Sequence, residues 1–266
     1  MENIRQAIER AKERPEQRSR IGFEIPRQQL SHGFGKEPTE VELDSAHLQS
    51  QRMVAHDGKD TCSRPFDMLR TEVLRSMDLK GWRTLAVTSP TPGCGKSLTA
   101  INLALSMARQ PERQVLLVDL DLRKPQVAGY LGLKCLHGLL GVLEGSATLA
   151  DTIVRARIGN SRLEVLPTAP TSNASDLIGS SAMAALLDDV SGHGQSRIVI
   201  FDLPPLLTGH DVISILPHVD CALLVAAVGT STVAEIKECN KYLHATEVVR
   251  FVLNKVPQAS TRYGYY

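Results

Sequence analysis

Short apolar runs alternate with amphipathic stretches along most of this chain. "RTLAVTS" (83–89), "QVLLVDLD" (114–121), "RLEVLPT" (162–168), "RIVIFDLPP" (197–205), "CALLVAA" (221–227) and "VVRFVLN" (248–254) each predict a buried strand. "PFDMLRTEVLRSMDLKG" puts Phe66, Leu69, Val73 and Met77 on one helical face, with Pro65 suited to the first turn and Gly81 to the stop. Residues 96–110, 180–190 and 231–245 read as further helices. Strands that are apolar throughout, separated by helices, predict a doubly wound α/β fold. Its sheet is mainly parallel and covered by helices on both faces.

The first part of the chain breaks this pattern. Residues 1–60 are polar and rich in Gln, Arg and Glu, with one thin helical stripe at Ile4, Ala7, Ile8 and Ala11. Pro15, Pro26, Gly33, Gly35 and Pro38 interrupt it repeatedly. The expected organisation is a partly helical, flexible extension over 1–60, a compact domain over 61–256 and a flexible tail over 257–266. A solvated extension and a docking segment are both open readings of 1–60.

Bulk composition removes several function classes. The 266 residues are 42% hydrophobic, enough for a full core, and carry a formal net charge of +1. No basic surplus points to nucleic acid, and none is expected as a partner. Five scattered cysteines form no C-x-x-C, and eight histidines show no ligand spacing, so a disulfide framework or zinc site is not expected. The start lacks the apolar centre of a signal peptide, and no apolar run nears the roughly 20 residues that span a bilayer. A cytoplasmic location follows as the expectation.

The chemistry concentrates at "SPTPGCGKS" (89–97). It follows a predicted strand and opens a predicted helix, the context of a phosphate-binding Walker A loop. The backbone N–H groups of Gly93 to Ser97 can point inward together, helped by the helix N-terminus. Lys96 would reach the β- and γ-phosphates, and Ser97 would offer its hydroxyl to Mg²⁺. Asp119, Asp121 and Asp202 follow predicted parallel strands, which places them on the same sheet edge. One carboxylate could organise a metal and another could take a proton from an incoming hydroxyl. A helix cap or turn is the competing role of any one of them.

"VTSPTPGCGKSLTAINLA", "VLLVDLDLRKP", "IVIFDLPPLL" and the Tyr-rich end together resemble the bacterial protein-tyrosine kinases, the autokinases of capsule and exopolysaccharide synthesis. The resemblance covers residues from about 60 to 266. It implies ATP and Mg²⁺ as cofactors, with Pro92, Gly93, Cys94, Gly95, Lys96, Ser97 and Leu98 around the phosphates and Asn254 at the adenine. It implies Ser97, Asp119 and Asp202 at the metal, and Lys96, Asp119, Asp121 and Asp202 as the catalytic set, with either Asp119 or Asp121 as the base. A strand-end turn is the competing role of Asn254.

Tyr263, Tyr265 and Tyr266 would be the phosphate acceptors, modified in trans between copies. They are three of only five tyrosines in the chain. The resemblance further implies a homo-oligomer, a membrane-anchored chain-length-determinant protein as activator at the inner face of the membrane, and a tyrosine phosphatase as partner. Two other functions stay open: a partitioning-type ATPase switch and a nucleotide-binding scaffold without catalysis. Thr91 stands where the partitioning ATPases carry a lysine, which counts against the first.

Two positions depart from plain expectation. The family carries Glu-x-x-Arg-x-x-Arg on the helix before the first strand, where it mediates ring contacts. Here the three slots hold Arg64, Asp67 and Arg70, so the first two charges are reversed. Plain solvated helix residues are the competing reading of Arg64 and Asp67. Cys94 lies inside the phosphate loop, near a helix N-terminus and a lysine. Oxidation that blocks ATP is one reading, and a small residue in a permissive slot is the other.

Overall fold

The computed structural model describes residues 39–192, 197–243 and 246–257. Eight strands form one sheet: β1 (Thr39–Glu42), β2 (Thr84–Thr88), β3 (Gln114–Asp119), β4 (Val154–Ile158), β5 (Ser161–Leu166), β6 (Arg197–Asp202), β7 (Cys221–Ala227) and β8 (Glu247–Asn254). Their order is β1-β4-β5-β3-β6-β2-β7-β8. Every neighbouring pair is parallel except β4–β5. The longer helices are α1 (Arg64–Lys80), α2 (Lys96–Ala108), α3 (Ser181–Gly192) and α4 (Val233–Tyr242).

The pattern of continuous apolar runs is explained by position. β2, β6 and β7 are buried at every residue, and β3 at every residue but the first. These four are the centre of the sheet. Successive side chains point to opposite faces, so each strand feeds two cores. Leu85, Val87, Leu117 and Ile200 pack on one side with α1 and α2. Ala86, Leu116, Val118 and Phe201 pack on the other with α3. The predicted helix punctuation holds: Pro65 sits in the first turn of α1, and Gly81 ends it in the left-handed conformation at φ 71°.

The expected domain start near residue 61 is too late. β1 pairs with β4, and Leu43, Leu48, Met53 and Ala55 are buried in the core on the α1–α2 side. What holds this segment is polar as much as apolar. The side-chain oxygen of the fully buried Asn102, on α2, accepts from the N–H groups of Val54 and Ala55 at 2.9 and 3.0 Å. Its amide donates to the carbonyls of Arg52 and Leu98. Hydrophobic periodicity carries no trace of such an anchor. The stripe at Ile4 to Ala11 lies outside the described residues.

β4 also escaped the pattern. Its burial alternates, with Ala156 inward and Arg155 and Arg157 outward, and it forms a hairpin with β5. The two-residue Gly159-Asn160 loop, with Gly159 at φ 55°, is the signal that marks it.

Candidate active site

The phosphate loop lies where the pattern predicts, between the end of β2 and the start of α2. Gly93 and Gly95 adopt φ values of 80° and 91°, which glycine takes without strain. A Cβ on Gly95 would also run into the Asn254 amide. The front of the loop is tied to the segment after β6: Leu206 N–H donates to the Ser89 carbonyl at 2.8 Å, and Leu207 N–H to that of Pro90 at 3.1 Å. Thr88 adds a hydroxyl bond to the Pro204 carbonyl at 2.8 Å. Pro92 is exposed at the loop tip. Leu98 packs its side chain on the core, so only its backbone belongs to the loop.

Sheet register brings the acids together. Asp119 and Asp202 are directly paired at the ends of β3 and β6. Lys96, at the first turn of α2, reaches across to them. Its Nζ lies 2.9 Å from Asp121 Oδ2, 3.3 Å from Asp202 Oδ1 and 3.1 Å from Ser97 Oγ. Burial disfavours the ammonium, but the charges of Asp202 and Asp121 outweigh that and raise its pKa. Lys96 is therefore firmly charged.

The three carboxylates differ in surroundings. Asp119 is saturated by backbone donors: Oδ2 accepts from the N–H groups of Gln126 and Val127, both at 3.0 Å, and Oδ1 from that of Asp121 at 3.2 Å. Burial first, and the Asp202 charge second, push its pKa up to about 8. Asp202 is raised by burial as well, against the opposing pull of Lys96. Its Oδ2 is buried and has no hydrogen-bond partner. Asp121 keeps a sliver of exposure, with one oxygen on Lys96 and the other accepting from Lys124 N–H at 3.1 Å.

These residues fit a divalent cation. Three buried acids face one ammonium, Asp202 Oδ2 makes no direct hydrogen bond, and the Ser97 hydroxyl is within reach of the same ammonium. Among the described residues no three His, Cys, Asp or Glu side chains converge into a metal cage. Magnesium takes one or two protein ligands and completes its shell with water and phosphate oxygens, a demand that the Ser97 hydroxyl and one carboxylate can meet.

Other predicted positions come out differently. The Asn254 amide donates to the Cys94 carbonyl at 3.0 Å, while its oxygen accepts from Lys255 N–H at 2.8 Å. The Cys94 thiol is fully buried and turned toward Ser231 Oγ, 3.3 Å away. An oxidant has no open path to it, so the structure favours the small permissive residue. Asp67 is not a solvated helix residue. On α1 it faces α2 and the residue that follows it, bonded to Ser106, Arg109 and, on its own helix, Arg70. Tyr263, Tyr265 and Tyr266 lie outside the described residues.

Sequence reasoning missed a clamp at the lip of the site. Arg123 donates from Nε to the buried Asp211 at 3.0 Å and from Nη2 to Ser175 Oγ at 2.5 Å. Ser175 in turn donates to Asp211 at 2.6 Å. The clamp ties the chain after β3 to the chain after β6. Its members stand 36 or more positions apart, so spacing offers no hint.

The chain has relatives in both sequence and structure. The family model of the CobQ/CobB/MinD/ParA nucleotide binding domain matches residues 85–263. EpsB of Ralstonia nicotianae is 32% identical over 236 residues, 85% of this chain and 31% of that protein. This chain thus spans about a third of the length of that relative. CapB of Staphylococcus aureus is 30% identical over 80% of this chain and 94% of its own length. Both bear the name tyrosine-protein kinase. The crystal structure of the chimerical protein CapA2B2 superposes with a TM-score of 0.70 at 27% identity, covering 84% of this chain and 95% of that one.

Proposed function

This chain belongs to the CobQ/CobB/MinD/ParA nucleotide-binding family and, within it, to the bacterial tyrosine-protein kinases; from that premise we propose that it transfers the γ-phosphoryl group of ATP to tyrosine hydroxyls. The acceptors are Tyr263, Tyr265 and Tyr266, presented by another copy of the chain.

One observation carries this reading: Lys96 bridges Asp121 and Asp202 at 2.9 and 3.3 Å beside a phosphate loop. When phosphate enters the loop, the ammonium has a stronger anion to face. Asp121 is then released to take the phenol proton. The phenolate oxygen forms a bond to the γ-phosphorus, the bond to the β,γ-bridging oxygen breaks, and ADP leaves. A phenol is a poor nucleophile until a base takes its proton, and Asp121 supplies that base. Asp119 holds the 120–127 turn that aims Asp121. Magnesium would be held by the Ser97 hydroxyl and Asp202, and it would supply charge neutralisation on the phosphates.

The cellular reading rests on the resemblance. Tail phosphorylation regulates exopolysaccharide or capsule polymerisation or export. A membrane-anchored chain-length-determinant protein recruits and activates the kinase at the cytoplasmic face, and a tyrosine phosphatase resets it. No helix among the described residues is long and apolar enough to cross a membrane. Each phosphate adds about −1.5 to −2 charge, enough for repulsion to loosen an assembly of copies.

The test is intact mass and phosphotyrosine mapping after incubation with ATP and Mg²⁺. It compares the wild type, Lys96→Met and a Tyr263/Tyr265/Tyr266→Phe triple variant, with and without an activator peptide. Phosphate on the wild-type tail alone is the expected result. ATP binding without phosphotyrosine under any condition would leave a switch or a scaffold.

A further inference from the structure

Asn254 ends β8, the last strand, and its side chain is already committed. The amide donates to the Cys94 carbonyl at 3.0 Å, and the oxygen accepts from Lys255 N–H at 2.8 Å. The backbone is engaged too, since its carbonyl accepts from Val228 N–H at 3.0 Å. Cys94 is held from a second side. Its thiol lies 3.3 Å from Ser231 Oγ, and that same hydroxyl accepts from Ala227 N–H at 3.0 Å. Ala227 and Asn254 are register partners at the ends of β7 and β8.

Cys94 is the one residue between two left-handed glycines, Gly93 and Gly95. A loop with a glycine on each side of one peptide pair has many alternative conformations. Fixing both the carbonyl and the side chain of the residue between them removes most of that freedom. A Cβ on Gly95 would displace the Asn254 amide, so the latch and a bare Gly95 go together.

We infer that Asn254 and Ser231 form a latch that holds the phosphate loop in its binding conformation, and that Asn254 is a positioning residue rather than a reader of the base. This deepens, and rests on, the nucleotide-binding reading of the same loop. A latch acts on the polyphosphate, the part every nucleoside triphosphate shares. A base reader acts on adenine alone. The two roles therefore separate by ligand.

The experiment measures dissociation constants of the full chain for Mg·ATP, Mg·GTP and Mg·tripolyphosphate by calorimetry. The wild type, Asn254→Ala and Ser231→Ala are compared. Loss of the Asn254 bond should weaken all three ligands by about tenfold and leave the ATP-to-GTP ratio unchanged. Ser231→Ala should weaken all three by about threefold, and it tests the latch from the other strand should Asn254→Ala fail to fold. Weaker ATP with unchanged tripolyphosphate would make Asn254 a base reader and overturn the latch. Unchanged affinities throughout would overturn it as well. A wild type that binds none of the three ligands would remove the nucleotide-binding reading itself, and the latch with it.

Discussion

The two ends of α2 carry two clusters of charge, built from the same residue types and opposite in design. At its start, Lys96 faces Asp119, Asp121 and Asp202. At its far end, Ser106 and the following Arg109 meet Asp67 and Arg70 of α1. In the second cluster one carboxylate faces two guanidinium groups. Both Asp67 oxygens accept from Arg109, at 2.9 and 3.2 Å. Burial works against the Asp67 charge, but the bonds from Ser106 and Arg109 outweigh it and lower its pKa. In the first cluster three acids share one cation, Asp119 and Asp202 are pushed up, and Asp202 Oδ2 has no partner. A cluster that serves packing satisfies its carboxylate. A cluster poised for a ligand leaves carboxylates in excess and a carboxylate oxygen unpaired until the ligand arrives, whereas in the packing cluster the surplus is cationic and the unpartnered buried atom is Arg70 Nε.

The largest effects should come from breaking the unbalanced end. Lys96→Met removes its only cation and should lower tyrosine phosphorylation by about a thousandfold or more, read as phosphotyrosine formed per unit time. It should also lower stability in the absence of nucleotide, because Asp121 and Asp202 then lose the ammonium that bridges them. Asp202→Asn should cut transfer by about a hundredfold. Yet without ligand it should melt higher than the wild type, by about 2–4 °C, because it discharges a buried carboxylate with an orphaned oxygen. Asp119→Asn makes the contrast within the cluster. Its amide would turn an N–H₂ toward the backbone donors of Gln126, Val127 or Asp121, so it should melt lower. If Asp202→Asn also melts lower, the imbalance does not describe this site.

At the satisfied end the effect falls on stability alone. Asp67→Ala leaves Arg109 and Arg70 without their carboxylate and should cost about 2 kcal/mol in urea unfolding. Affinity for ATP should stay unchanged. A loss of affinity would mean that α2 transmits strain from one end to the other.

The two clusters also differ in how far they could be read beforehand. The grouping of Lys96, Ser97, Asp119, Asp121 and Asp202 was legible because the first two open the helix after a strand and loop, Asp119 and Asp202 end strands and Asp121 follows one by two residues, and a parallel sheet collects its strand ends on one edge. The four central strands were legible because burial on both faces leaves unbroken apolar runs. Neither open reading of Asp67 named its partners, because Ser106 and Arg109 lie 39 and 42 positions away on another helix. Pattern shows where an apolar side chain must go. It does not show which polar side chains will meet. The same limit hid the Asn102 anchor, the Arg123–Asp211 clamp and the use of Asn254. β1 was missed for a related reason: only Val41 of its four residues is even partly buried, too little for a periodic signal.

The smallest expected effect gives the finest test of the satisfied end. Ser106 Oγ donates to Asp67 Oδ1 at 2.5 Å, and that bond is the first of those that hold the Asp67 pKa below its ordinary 3.8. A carboxyl depressed on folding stabilises the folded chain above its unfolded pKa. That stability is lost as pH falls through the folded pKa. Ser106→Ala removes one hydrogen bond to a charged group, so it should cost about 1 kcal/mol at about pH 7. It also moves the folded pKa back toward 3.8. Below both pKa values Asp67 is protonated in the wild type and the variant alike, so the gap between them should narrow in acid. Urea unfolding of both proteins at about pH 7 and at a series of falling acid pH values follows the gap directly. A gap of the same size throughout would assign the loss to packing around Ser106. Asp67 would then owe its charge to Arg109 and Arg70, and the balance at this end of α2 would be purely ionic.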